Sequence, residues 1–206
     1  MTKDRLGFGR YQFWIVGRVD RLDPNVVLGL FNYPTPDVGP DGTNEIDIEF
    51  AKWGKPEAPM GNYTVWPARE GLRRANKRFS VELKGEYATH RFIWNSTGVT
   101  FQSLHGHHDD NSTYFADWPY QPQNPAQKAM PVRINLWLFQ GQPPMEWSAG
   151  RTHRSLIEVL AGSMSSTAVA KIRRGLASAD AGVGARFDPA AGRVWLPVHR
   201  LATFET

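Results

Sequence analysis

Apolar and polar residues alternate with a period of two in short runs along the first two thirds of the chain, and Gly, Pro, Asn and Asp separate the runs. A period of two is the mark of a strand with one face in a core. The pattern predicts strands over 11–16, 26–33, 61–66, 79–83, 90–94, 99–104 and 133–139. Asp23-Pro24-Asn25 reads as a turn between the first two. Asn95-Ser96-Thr97-Gly98 reads as a hairpin turn, which makes 90–94 and 99–104 antiparallel neighbours. The stretch from Pro119 to Pro131 reads as an ordered loop.

Near position 144 the pattern changes. Residues 145–206 are rich in Ala, Gly, Ser and Arg and alternate poorly. A short helix is expected over 165–177 and a strand over 193–198. The chain is therefore divided into a body, 1–144, and a divergent tail, 145–206, of undetermined structure.

One run of the body is unlike the others. In Gly42-Thr43-Asn44-Glu45-Ile46-Asp47-Ile48-Glu49-Phe50 an acid occupies every second position and an apolar residue fills each gap. As a strand it sets Glu45, Asp47 and Glu49 side by side on one surface and sends Ile46, Ile48 and Phe50 into the core. Neighbouring carboxylates repel, so a fold that keeps such a row has a use for it.

Two carboxyl groups flanking a glycosidic bond hydrolyse it: one attacks the anomeric carbon, the other protonates the leaving oxygen and then activates water. Retention of configuration needs them roughly 5–5.5 Å apart. On a flat strand the Cα atoms of Glu45 and Glu49 lie roughly 13 Å apart. A sheet curved toward its acidic face closes that gap, and a concave face is where a polysaccharide would lie. Asp47 between them would tune both ionisations.

Composition narrows the class. Aromatic residues make up 12% of the 206, with 19 Gly and 15 Pro, which suits an all-β sandwich or barrel of one domain. The lack of cysteine excludes disulfides and thiolate metal sites. No apolar run approaches the roughly 20 residues of a membrane helix, and the segment Met1 to Gly7 has no signal-peptide character. The formal charge of +4 is concentrated in residues 145–206, which carry +3, leaving +1 for the body. That distribution speaks against a nucleic-acid partner.

The run from Glu45 to Phe50 resembles the signature of glycoside hydrolase family 16, the β-jelly-roll enzymes that include licheninases, laminarinases and xyloglucan transglycosylases. Gly7-Phe8-Gly9-Arg10-Tyr11 resembles the family's aromatic-glycine approach strand. Thr89-His90-Arg91-Phe92-Ile93-Trp94 resembles its His-x-Phe/Tyr-x-Trp strand, and Ile134-Asn135-Leu136-Trp137 its late Asn-Leu-Trp strand. The spacing of Glu45 and Glu49, without an extra bulge residue, is the licheninase and xyloglucan-active version. Thr43 stands where the family carries a Trp, and the family's first strand and its Val/Ile-rich closing strand have no evident counterparts.

The resemblance implies a β-sandwich of jelly-roll type with a concave substrate face. It implies retaining endo-hydrolysis of a β-linked glucan, of β-1,3-1,4 or β-1,3 type, with Glu45 as nucleophile, Glu49 as acid/base and Asp47 assisting. Asn44, His90, Trp66, Asn135 and Trp137 are the expected sugar contacts. No cofactor and no metal are expected; a monomer is, with a polysaccharide as its partner. Location is expected to be secreted or periplasmic. The rival readings are a transglycosylase using the same carboxylates and a non-catalytic glucan-binding module. Trp94 is expected in the core, the segment His105 to Asp110 as a solvated loop, and Arg73, Arg74, Lys77 and Arg78 as a solvated turn.

Overall fold

The computed structural model describes residues 2, 4–110, 113–142, 144 and 145, together with the backbone of four later strands. The body contributes β1 (Gly9–Val16), β2 (Val26–Asn32), β3 (Ile46–Phe50), β4 (Gly61–Val65) and β5 (Ala75–Phe79). It continues with β6 (Tyr87–Trp94), β7 (Val99–His105), β8 (Tyr114–Tyr120) and β9 (Val132–Leu138). From the tail come β10 (Ile157–Ser163), β11 (Ser166–Arg174), β12 (Arg186–Asp188) and β13 (Arg193–Trp195).

They form two sheets in which every pairing is antiparallel, six strands ordered β11-β10-β1-β6-β7-β8 and seven ordered β12-β13-β9-β2-β3-β4-β5. The sheets pack face to face as a β-sandwich of jelly-roll type. Alternation along each strand supplies the core. Tyr11, Phe13 and Ile15 of β1 and Phe92 and Trp94 of β6 meet Leu28 and Leu30 of β2, Ile46, Ile48 and Phe50 of β3, and Tyr63 of β4. Aromatic rings span the gap: Tyr63 stacks on Phe101 with ring centres 4.7 Å apart. Its hydroxyl donates to Ser103 Oγ at 2.6 Å, so the polar tip of a buried Tyr does not go unpaired. Each such fully buried large side chain stabilises the sandwich by about 1.5–3 kcal/mol.

The hairpin at Asn95 forms as expected. Asn95 Oδ1 accepts from the backbone N–H of Thr97 at 2.8 Å and of Gly98 at 2.9 Å, the closed Asx geometry of a tight turn. Trp94 is in the core, 1% exposed, with Nε1 donating to the Ala126 carbonyl at 3.0 Å.

Several expectations are corrected. The predicted strand at 79–83 is displaced: β5 ends at Phe79, while Val81 and Leu83 are buried outside any ladder. The backbone N–H of Leu83 donates to Asp20 Oδ2 at 3.1 Å, so a side chain takes the place of a neighbouring strand. Lys77 and Arg78, read as part of a turn, belong to β5, where edge charges suit an exposed strand. Lys77 Nζ reaches across to the Asp117 carbonyl of β8 at 2.6 Å and ties the two sheet edges together. The supposed loop from Pro119 begins inside β8, an edge strand that tolerates a proline.

In the tail, the helix expected over 165–177 is instead β11 over most of its length. Pairing of Ile157↔Arg174 through Ala161↔Ala170 gives its backbone partners, and that outweighs the helical preference of alanine. The tail also joins both sheets. β10 pairs with β1 from Tyr11↔Ser163 to Val16↔Glu158, which makes β1 an interior strand, and β13 pairs with β9 at Arg193↔Trp137. The strand expected at 193–198 is present over Arg193–Trp195. Among the described residues no helix is long and apolar enough to cross a membrane.

Candidate active site

The acidic run enters β3 through a left-handed turn. Asn44 has φ 59°, a conformation Asn tolerates better than most residues, and its backbone N–H donates to the Pro67 carbonyl at 2.8 Å. Asn32 Oδ1 then accepts the N–H of Ile46 at 2.8 Å. From there β3 pairs in step with β2, Leu28↔Phe50 through Asn32↔Ile46, and with β4, Phe50↔Gly61 through Ile46↔Val65. The ladders carry no bulge. Ile46, Ile48 and Phe50 are at most 1% exposed, so Glu45, Asp47 and Glu49 all face outward from the seven-stranded sheet.

This row is dry enough to hold protons. Asp47 is 4% exposed and accepts a hydrogen bond from Trp66 Nε1 at 3.0 Å. Burial first, then the charges of Glu45 and Glu49, hold its pKa well above the usual carboxylate range. Glu49 is pushed up to about 7 by burial and by Glu45, with Arg74 pulling the other way. Burial also raises Glu45 to about 7, against the opposing effects of contact with Asp47 and of Arg133 and Arg74. Near neutrality the row therefore carries both ionised and protonated carboxyls. That is the mixture a nucleophile and a proton donor require.

Glu45 lies at one end of the row, in a band that crosses the sheet. The backbone N–H of Trp66 donates to the Glu45 carbonyl at 2.9 Å, and Tyr33 and Arg74 continue β2 and β5 at the same level. Each flanking aromatic carries a cation: the guanidinium carbon of Arg74 sits 4.6 Å from the Trp66 ring centre and that of Arg133 4.4 Å from Tyr33.

The Glu49 end is different. There Gly29 pairs with both Glu49 and Asn135, and the missing side chain makes room for the Asn135 amide. A Cβ at Gly29 would stand 2.4 Å from Asn135 Oδ1. That Oδ1 is buried without a hydrogen-bond partner. Beyond it Trp53 leans on Trp137, ring centres 6.2 Å apart, and on Phe139 at 5.6 Å. Trp53 reaches this position through a left-handed backbone, φ 54°, and its Nε1 donates to Asn62 Oδ1 at 3.4 Å.

Of the expected site residues, Glu45, Asp47, Glu49, Trp66, Asn135 and Trp137 share this face. Two do not. His90 is fully buried on the core side, its Nδ1 2.7 Å from Ser103 Oγ and its ring edge-on to Phe50 at 4.6 Å. Burial pushes its pKa down to about 3, so it is a neutral packing group behind β3. The parity of β6 sends position 90 inward. Asn44 is 4% exposed and donates to Thr43 Oγ1 at 3.0 Å; it shapes the turn and stands outside the row of carboxyls.

Trp53, one of the tryptophans that could stack on a sugar, also lies here, and Tyr33, Arg74, Arg133 and Phe139 are additions that the residue pattern did not single out for the face. Arg133 had a signal, because it precedes Asn135 by two and shares its parity. Phe139 shares the same parity and Tyr33 closes the run 26–33, whereas Trp53 and Arg74 lie outside the predicted runs, where periodicity is silent.

No protein-family model matches the chain, and no curated protein does. In fold the chain is similar to the β-glucanase of Bacillus licheniformis, at 19% identity and TM-score 0.47, over 76% of this chain and 64% of that one. It is also similar to a prokaryotic β-1,3-1,4-glucanase (lichenase) from a mouse hindgut metagenome, at 21% identity and TM-score 0.44, over 66% and 56%. A third similar structure is an immunostimulatory antigen and pseudo β-1,3-glucanase of Mycobacterium tuberculosis, at 21% identity and TM-score 0.45, over 66% and 55%. The chain spans between 55% and 64% of the length of these three.

Proposed function

We propose that the protein is a retaining endo-hydrolase of a β-linked glucan, of β-1,3 or mixed β-1,3-1,4 linkage. The observation that carries this reading is the row of Glu45, Asp47 and Glu49 on one face of an unbulged strand, with both glutamates raised to about 7 and aromatic rings at either end. Indole and phenol rings suit the C–H faces of pyranose sugars.

In this mechanism the ionised Glu45 attacks the anomeric carbon while Glu49 delivers its proton to the glycosidic oxygen, which leaves with the bonding pair. The sugar is then held as an ester of Glu45. Glu49, now ionised, takes a proton from water as that water attacks the same carbon and frees Glu45. Two inversions give net retention. Asp47, hydrogen-bonded to Trp66 and holding its proton, is placed to relieve the charge on Glu45 as the ester forms. Asn135, with its free carbonyl oxygen beside Glu49, is positioned for a sugar hydroxyl. Action outside the cytoplasm, on a polymer too large to enter it, belongs to the same reading.

Reducing-sugar release from barley β-glucan, laminarin and xyloglucan tests it, with Glu45→Gln in parallel and proton NMR of the first-formed anomer. Release of the β-anomer, lost in the variant, supports the reading. Release of the α-anomer, or activity untouched by the substitution, overturns it.

A further inference from the structure

Arg133 is half-buried beside a row of carboxyls, and its Nε is buried without a hydrogen-bond partner. A buried N–H of a charged group left unpaired is costly. Among the described residues the ion pairs join Arg5 to Asp37, Arg10 to Asp109 and Arg18 to Asp20, so neither Arg74 nor Arg133 has a carboxylate within 4.0 Å. Each instead holds its guanidinium carbon over an aromatic ring, Arg133 over Tyr33 and Arg74 over Trp66. Stacking fixes the plane of a guanidinium and leaves its N–H edge for a ligand. The two cations stand on opposite sides of Glu45 in one band across the sheet.

A role in holding Glu45 ionised accounts for part of this, since both lower its pKa. It does not account for the stacking or for the unpaired Nε, because a group whose task is to neutralise a neighbouring carboxylate does so best in contact with it. We propose that Arg133 and Arg74 are a recognition site for an anionic substituent, a carboxylate or a sulfate ester, on the sugar chain that lies over Glu45. This rests on the reading of the face as a polysaccharide cleft and narrows its substrate to an acidic chain. The planar, two-donor edge of a guanidinium matches both anions, and the raised pKa values of the three carboxyls reduce their repulsion of such a substrate.

The test is affinity electrophoresis of the wild-type chain and its variants in gels containing one β-glucan backbone in neutral, carboxymethylated or sulfated form, so that binding is read whether or not cleavage occurs. Retardation is expected to be about ten-fold stronger with an anionic form than with the neutral one, and to fall to the neutral level in Arg133→Ala/Arg74→Ala. Arg133→Lys, which keeps the charge and loses the planar edge, is expected to recover only part of it. Because a protein of net charge +4 attracts any polyanion, Arg21→Ala/Lys84→Ala, with the same change in net charge at exposed sites, is the control and should retain the preference.

The carboxymethyl and sulfate gels distinguish the two anions. Equal retardation in all three gels, or equal losses in the control and the cleft variants, overturns the proposal. Cleavage of neutral glucan with no arginine dependence would leave the hydrolase reading standing without it. Arginine-dependent binding with no cleavage would do the reverse.

Discussion

The outward faces of the two sheets differ in how the chain covers them, although each keeps a buried unpaired guanidinium nitrogen, Arg10 Nε on the six-stranded sheet and Arg133 Nε on the seven-stranded one. On the six-stranded sheet, Gln12, Arg91 and Gln102 stand side by side across β1, β6 and β7. The segment that follows β7 folds over them. Arg91, 1% exposed, donates from Nε to Gln102 Oε1 at 2.7 Å, and from its two terminal nitrogens to the carbonyls of Asp109 and Asp110, both at 3.0 Å. Gln12 gives its Nε2 to Asp109 Oδ1 at 2.6 Å and accepts from Arg91 at 3.3 Å. Among the described residues no segment comes down in this way on the seven-stranded sheet. Asn135 Oδ1 and Arg133 Nε are left without partners, and the carboxyls hold protons well above their usual range. Polar groups paired by the chain itself hold the fold together. Polar groups left open on a built face are available to a ligand.

That contrast predicts opposite phenotypes for substitutions on the two faces. The largest effect is expected at Glu45→Gln: activity falls by about a thousand-fold or more while the thermal melt stays within a few degrees of wild type. Arg91→Ala should do the reverse. The change takes one hydrogen bond each from Gln102, Gln12 and the carbonyls of Asp109 and Asp110 and costs about 3 kcal/mol in urea unfolding, with kcat/KM unchanged below the melt. An activity defect in Arg91→Ala at full stability would break the comparison.

A smaller effect, with a definite sign, is expected at Asp47→Asn. The folded state keeps the Asp47 proton to higher pH than the unfolded chain does. Above about pH 4 the folded state therefore binds more protons, and stability falls as pH rises. The asparagine cannot ionise. Its melting temperature should match wild type near pH 4 and exceed it by a few degrees at pH 7.5, with activity lost. A gap that narrows toward high pH would mean that Asp47 is stabilised as the anion. The smallest effect is expected at Gly29→Ala. The added carbon displaces the Asn135 amide, a flexible tip, so kcat/KM should fall about ten-fold with stability changed by roughly 1 kcal/mol or less. Equal losses of activity and stability there would place Asn135 among the structural groups.

Most strands of the body were legible from alternation, because a half-buried strand must alternate: β1, β2, β3, β4, β6, β7 and β9 all fall on predicted runs. β5 was not, since the three central residues of Ala75-Asn76-Lys77-Arg78-Phe79 are exposed and Phe79 alone packs on the core, which leaves no alternation to read. Nor was β11, whose alanines favour helix until β10 lies beside them. The same divide runs through the site. Glu45, Asp47 and Glu49 sit on one strand, so their common face follows from period two alone.

Arg74 and Trp53 sit in connections, and the side their side chains take depends on turns such as the left-handed one at Trp53. His90 shows the limit most directly. Its motif marked it for the cleft, but the ring points into the core, because β6 belongs to the other sheet and its inward face meets the back of β3. The sequence by itself determined that this is an all-β protein and that three carboxyls share one surface, because strand parity is a local property. Only the tertiary structure decided which polar groups would be paired and which left open, because pairing depends on what other segments bring to each face.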